Sequence, residues 1–431
     1  MILSLSALTK IISVFVLILL LNKLRLHLSL SLIVGSLALG LWMDLGALRL
    51  GESILKTLTS FQTFSLILIV GSILVISRLL KESGHLDRIL ESFGRISRDN
   101  RTVGSVMPAL IGLLPMPGGA LFSAPMVETA FAKNSVTREE QTMVNYWFRH
   151  MWEYWWPLYP GVVLAVALLD VEMWRFMLFM FPMTLVTAMT GAFFLLRPLG
   201  KMPAGHGGVV FFSAIRDFLW EIMPILVVIL ITIAVEGLAG LLSLVGFQIN
   251  IGGAVSILPG LFASGIWILC TDHIPLKDLR TAVTDSHILP MLFLIVAIMV
   301  FKGVMTDSQA VVQVRNELEA FGIPAILIIL ITPFISGLIT GIAIGFVGTS
   351  FPLIIPLFPS SPLFDYILYA GLAYTFGYMG MMLSPVHLCF LVTKDYFGAS
   401  LIKSYRHLFK PAFTIMAVST VIFLVLRIVV S

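Results

Sequence analysis

The chain has 431 residues, 58% of them hydrophobic and only 12% charged, and its mean hydropathy is +1.02. Repeated apolar runs near the length of a bilayer crossing predict an all-α polytopic membrane protein with the lipid bilayer as its solvent, and exclude an ordinary soluble enzyme. A formal net charge of +4 over this length is no nucleic-acid footprint, and two cysteines far apart, Cys270 and Cys389, build no disulfide framework.

Taken in order, the apolar runs predict crossings at Leu3–Leu21, His27–Met43, Phe61–Leu80, Met143–Leu169 and Met173–Leu196. The first run is long and a second follows at once, so it does not read as a signal peptide. A glycine-rich polar linker, 201–216, follows. Five more crossings are expected at Asp217–Leu238, Ile251–Leu269, His287–Val304, Asp365–Val392 and Pro411–Val430.

Two further apolar stretches, Arg101–Phe131 and Ile323–Phe358, are poor spanning helices. The first contains LLPMPGGALFSAP, in which Pro115, Pro117 and Pro125 remove backbone donors and Gly118 and Gly119 favour non-helical torsions. Such backbone survives at membrane depth only when buried in protein or lining a wet cavity, so both stretches are expected to be re-entrant hairpins.

The second half echoes the first. Tyr146, Phe148, Met151 and Pro157 recur as Tyr374, Phe376, Met379 and Pro385, each at an offset of 228. The hairpin LLPMPGGALFSAP is answered by LITGIAIGFVGTSFP. Two repeats, each of five crossings plus a hairpin that re-emerges on its own side, must lie inverted, because five is odd. Loop charge agrees with this alternation. With both termini outside, the outer side holds only Lys10, Arg49, Lys56, Arg175, Lys302, Arg315 and Arg427 of the 27 Lys and Arg residues.

The richest polar cluster in the membrane is NYWFRHMWEYWWPLYPG, Asn145 to Gly161. On a continuous helix Arg149 and Glu153 share a face with Asn145 and Trp156, while Pro157, Pro160 and Gly161 open the helix beyond Glu153. Intramembrane charge normally faces a pathway or a partner; the structural alternative is that Arg149 and Glu153 neutralise each other. The pair His150-x-x-Glu153 has metal-ligand spacing, but the second half offers Tyr378 and Met381 at the matching positions, so no metal is predicted. In that half, Gly377, Gly380 and Ser384-Pro385 predict another interrupted helix with Ser384 and His387 at the break. Gly345, Thr349 and Ser350 of the second hairpin offer N–H groups and hydroxyls to a ligand, or else small-residue packing through Gly341 and Gly345.

A solute site is therefore expected where the hairpin tips meet the broken helices. Its candidates are Pro117, Gly118, Gly119, Ser123, Asn145, Arg149, Trp152, Glu153, Trp156, Gly345, Thr349, Ser350, Ser384 and His387. Arg149 suits a carboxylate, whereas Trp152, Trp155 and Trp156 with Glu153 would suit a cationic or aromatic solute. Free carbonyls near Ser384 could hold Na+ as coupling ion, and His150, Glu153 or His387 could carry a proton. The absence of a P-loop, HExxH or GxSxG motif argues against an enzyme or an ATP-driven pump. No cofactor is expected. A receptor or assembly scaffold that does not transport is the competing class.

At LLPMPGGALFSAPMVE and LSPVHLCFLVTKDYF the chain resembles the ion-transporter superfamily, which includes gluconate permeases, divalent-anion symporters, citrate transporters and the large membrane subunit of TRAP systems. It is most similar to a prokaryotic integral-membrane family of unassigned function in that group. The resemblance implies a secondary active transporter of the cytoplasmic membrane, a homodimer working as an elevator. Residues 1–100 and 217–322 would be scaffold, and 101–200 with 323–431 the transport domain. The Ser-Asn-Thr hairpin motif of the dicarboxylate symporters is missing, replaced by PMPGGA and GIAIGFVGTS, so their sodium site and substrate do not carry over.

Overall fold

The computed structural model describes residues 6–94, 99–116, 119–132, 135–200, 211–246, 253–272, 274–359 and 361–430. Pro117, Gly118 and most of the 201–216 linker lie outside the described residues. All regular structure among the described residues is helical. The first half contributes α1 (Ala7–Lys23), α2 (Leu28–Trp42), α3 (Ala47–Leu58), α4 (Phe61–Glu82), α5 (His85–Gly94), α6 (Asn100–Ile111), α7 (Ala120–Phe131), α8 (Arg138–Arg149), α9 (Pro160–Leu169) and α10 (Met173–Gly191). The second contributes α11 (Phe211–Glu221), α12 (Met223–Leu244), α13 (Leu258–Thr271), α14 (Leu276–Val283), α15 (Ile288–Asp307), α16 (Ala310–Phe321), α17 (Ala325–Thr340), α18 (Ala343–Ile354), α19 (Leu363–Met382), α20 (Leu388–Phe397) and α21 (Leu401–Val430).

Five continuous helices are long and apolar enough to cross a membrane: Phe61–Glu82, Met173–Leu199, Met223–Leu244, Lys277–Asp307 and Leu401–Val429. The other expected crossings are shorter or divided. Met143–Leu169, read as one crossing, is split into α8 and α9, and Asp365–Val392 is split into α19 and α20. The ten residues of α9 are all buried. At about 1.5 Å per residue such a helix covers only half a bilayer core, so protein has to satisfy its ends. The two stretches expected to be hairpins each hold a packed helix pair, α6 with α7 and α17 with α18. Short helices α3, α5, α14 and α16 occupy stretches expected to be loops.

Local chemistry sets the breaks. A capping box starts α8: Thr137 Oγ1 accepts from the Glu140 N–H, and Glu140 accepts from the Thr137 N–H at 2.8 Å. Pro160 opens α9 at its first turn, where a missing N–H costs nothing. Gly341 ends α17 with φ 65°, a left-handed conformation that lets the chain reverse into α18 after a single further residue.

Hairpin α17–α18 then packs backbone to backbone on α19. A Cβ at Gly337 would lie 2.1 Å from the Gly377 carbonyl oxygen, and one at Gly380 would lie 2.1 Å from that of Phe334. The close glycine contact therefore uses Gly337, Gly377 and Gly380, while Gly341 leaves the helix altogether. Helix α18 also packs on α9, α20 on α7 and α8, and α21 on α8 and α10, which interlocks the two halves. A second link joins α5 to α11 and the end of α13. His85 is 2.7 Å from Glu221 and 2.8 Å from Asp272, and Arg88 meets the same two carboxylates at 2.8 and 3.1 Å.

Candidate functional site

Helix α6 stops at Ile111, and its last carbonyls lack intrahelical partners. The segment between α8 and α9 supplies the donors. Trp152 Nε1 donates to the Ala109 carbonyl (2.7 Å), the Tyr159 hydroxyl to Gly112 (2.5 Å), Trp156 Nε1 to Leu113 (3.0 Å) and Arg149 Nη2 to Met116 (2.9 Å). These contacts end α8 at Arg149, before the prolines, so Glu153 lies in the turn and not on a shared helix face. The indole N–H groups of Trp152 and Trp156 are thereby committed to the first hairpin.

Two glycines make the approach possible. A Cβ at Gly112 would fall 2.0 Å from the Arg149 carbonyl oxygen, and one at Gly119 would fall 2.1 Å from Arg149 Nη2. The guanidinium fills the notch left at Gly119. Arg149 is 2% exposed, and among the described residues its Nε has no hydrogen-bond partner and no ion pair joins it to Glu153.

The second break, Leu383 to His387, is satisfied from both halves. Tyr146 on α8 donates to Met382 (2.9 Å) and Tyr405 to Leu383 (3.0 Å). In return Tyr374 and Tyr378 on α19 donate to the carbonyls of Glu153 (2.8 Å) and His150 (2.5 Å) in the first break. Ser384 Oγ accepts from the Val386 N–H at 3.3 Å. The tip of the second hairpin enters here. A Cβ on Gly341 would sit 3.0 Å from Ser384 Oγ, and one on Gly161 would sit 2.6 Å from the Ala343 methyl.

The two breaks meet at a pair of buried histidines. His150 Nε2 and His387 Nε2 are 3.1 Å apart, and Glu153 Oε1 lies 3.8 Å from His150 Nε2. His150 Nδ1 is 2.6 Å from the Tyr146 carbonyl oxygen. Cys389, one residue into α20, joins them: the ligand atoms of His150, His387 and Cys389 all lie within 4.8 Å of one another.

The structure thus brings Gly119, Arg149, His150, Trp152, Glu153, Trp156, Ser384 and His387 to one junction. Asn145 lies beside it, donating to the Ala120 carbonyl (3.0 Å) and to Thr393 Oγ1 (3.3 Å), with its buried Oδ1 unpartnered. Ser123 donates within its own helix, to Ala120 at 3.3 Å. The hydroxyls of Thr349 and Ser350 also turn back on α18, to Gly345 (2.7 Å) and Phe346 (2.6 Å), and Thr349 meets Ser336 across the hairpin. Gly345 faces Thr340. These three are not brought to the histidine pair. Two larger clefts run elsewhere. One of about 930 Å³ includes Asp170, Glu172, Arg175 and Glu236, and an apolar one of about 520 Å³ lies between α10, α19 and α21. Neither is lined by Arg149, Glu153 or the histidines.

Sequence reasoning missed the capping roles of Tyr146, Tyr159, Tyr374 and Tyr378, and the position of Cys389. Tyr146 and Tyr374 stand 228 residues apart in matching sequence contexts, and Tyr378 answers His150 at the same offset.

The fold is similar to that of the YdaH transporter of Alcanivorax borkumensis, whose crystal structure is described as revealing an unusual topology. The TM-score is 0.50 at 15% sequence identity, over 88% of this chain and 89% of that one. A search of curated proteins gave no match. A family model described as "Protein of unknown function (DUF401)" matches residues 4–426.

Proposed function

The chain belongs to the DUF401 family, and from its own geometry we propose that it is a secondary active transporter of a small organic anion, coupled to sodium or protons across the cytoplasmic membrane. The observation that carries this is Arg149, buried where α6–α7 meets the broken helices, with no carboxylate partner and with Nε unsatisfied among the described residues. An isolated buried guanidinium is costly, and a ligand carboxylate is the natural group to complete it. The YdaH protein, similar in fold, is a transporter, which supports the class.

The reciprocal tyrosine bonds support two inverted repeats. Tyr146 caps the end of α19 and its equivalent Tyr374 caps the break after α8. On this reading residues 101–200 and 323–431 move as one transport domain against a dimeric scaffold of 1–100 and 217–322. Sodium would be held by carbonyls near Ser384; a coupling proton would be carried by His150, Glu153 or His387.

Two substitutions test the site once a solute is in hand. Arg149→Gln should weaken binding at least roughly tenfold, because charged hydrogen bonds are worth about 1.5–3 kcal/mol. Glu153→Gln should spare affinity and alter its pH dependence. The reverse pattern would assign a cationic solute, and wild-type affinity in both would move the site away from this break.

A further inference from the structure

His150, His387 and Cys389 form a donor set that sequence spacing does not reveal, since it unites two breaks from opposite halves of the chain. We propose that this junction binds a thiolate-seeking transition-metal cation of the zinc class through His150 Nε2, His387 Nε2 and Cys389 Sγ, with Glu153 as the fourth ligand.

The geometry of His150 comes first. Its Nδ1 is 2.6 Å from the Tyr146 carbonyl oxygen, which can only accept. Nδ1 therefore carries the hydrogen, and the neutral ring presents a bare lone pair at Nε2. Metal-bound histidines are held in this way, with the second nitrogen donating to a carbonyl that sets tautomer and ring orientation. That lone pair points at His387 Nε2, 3.1 Å away. Without a metal that lone pair accepts from His387 Nε2–H, so binding would shift the His387 hydrogen to Nδ1, which is buried and has no hydrogen-bond partner of standard geometry among the described residues.

Spacing comes second. Zinc bonds of about 2.0–2.1 Å to nitrogen and about 2.3 Å to sulfur put the donors of a tetrahedral site roughly 3.3–3.6 Å apart. The two Nε2 atoms are slightly closer than this, Glu153 Oε1 is 3.8 Å from His150 Nε2, and Cys389 Sγ completes the set within 4.8 Å. Glu153 lies outside the group whose ligand atoms are all within 4.8 Å of one another, so its side chain would have to swing in to complete the shell.

Charge comes third. A dication with the Cys389 thiolate and the Glu153 carboxylate sums to zero within the ligand shell, and Arg149 leaves the junction at +1, a charge that a ligand anion would balance. Two imidazoles with a thiolate select zinc or a softer ion over magnesium or calcium. Occupancy would withdraw His150 and His387 from proton carriage and leave the carbonyls near Ser384 as the coupling site. Metal binding here can be read on the purified protein without a transport assay.

Full-length protein in detergent, stripped with chelator and titrated with Co2+, reads the site spectroscopically. Wild type should take up about one ion per chain, with tetrahedral d–d bands and a thiolate-to-cobalt charge-transfer band that Zn2+ abolishes. Cys389→Ser, nearly isosteric, should lose the charge-transfer band, and His387→Ala should weaken affinity at least roughly tenfold. Zinc found in protein purified without added metal marks an ion that survives purification, and uptake only on addition marks one that does not; both uphold the site. Absence of the charge-transfer band in folded wild type, or its persistence in Cys389→Ser, overturns the proposal even if the histidine variants fail to fold.

Discussion

The Tyr146 hydroxyl donates to the Met382 carbonyl across 2.9 Å, so a residue on one broken helix satisfies the orphaned end of the other. Tyr374 returns the bond to Glu153 at 2.8 Å. Removing either hydroxyl strands a buried carbonyl, which costs about 1–3 kcal/mol. Tyr146→Phe and Tyr374→Phe should each lower unfolding stability in detergent by that amount. Tyr396→Phe, which loses only an exposed bond to Glu128, should stay within about 0.5 kcal/mol of wild type.

Backbone contact between α17 and α19 makes a second prediction. A methyl at Gly337 or Gly380 meets rigid backbone at 2.1 Å, so Gly337→Ala and Gly380→Ala should destabilise by about 3 kcal/mol or more. Gly51 lies in exposed helix with nothing within 4 Å of its added Cβ. Gly51→Ala should therefore stabilise by roughly 0.5–1 kcal/mol. Equal thermal midpoints for all three would contradict the packing.

Gly119→Ala separates folding from binding. Its Cβ would meet the far end of the Arg149 side chain at 2.1 Å, which can swing away at small cost. Stability should change little while solute affinity falls roughly tenfold, as expected for Arg149→Gln. Unchanged affinity would mean that the guanidinium does not need this notch.

Much of this architecture was legible because proline and glycine leave few options at membrane depth. The helix breaks within Arg101–Phe131 and Ile323–Phe358 and the break at Ser384-Pro385 follow from lost donors and left-handed torsions. The first break lies earlier than its prolines suggest, since Trp152, Trp156 and Tyr159 find carbonyl partners at the end of α6 that no local pattern encodes. Helix α3 was hidden because Arg49, Glu52 and Lys56 look like a charged loop, although Leu50, Ser53 and Thr57 form one buried face. The meeting of His150 with His387 and Cys389 joins residues from opposite halves, beyond the reach of any helical periodicity.

Orientation is open to direct labelling. Ser92 and Ser308 mark loops expected on opposite sides, but both are buried, so the exposed Arg216 and Thr306 are better probes. In a Cys270→Ser background, cysteine at 306 should react with an impermeant thiol reagent in intact cells and cysteine at 216 should not. Reaction of both would contradict the three crossings expected between these positions.

The most direct measurement is solute flux in proteoliposomes under imposed sodium and proton gradients, across a panel of organic acids and amino acids. The account predicts gradient-driven accumulation of at least one organic anion by wild type, lost in Arg149→Gln at equal protein incorporation. Absence of flux for every solute under every gradient would contradict it and favour a receptor or scaffold that does not transport.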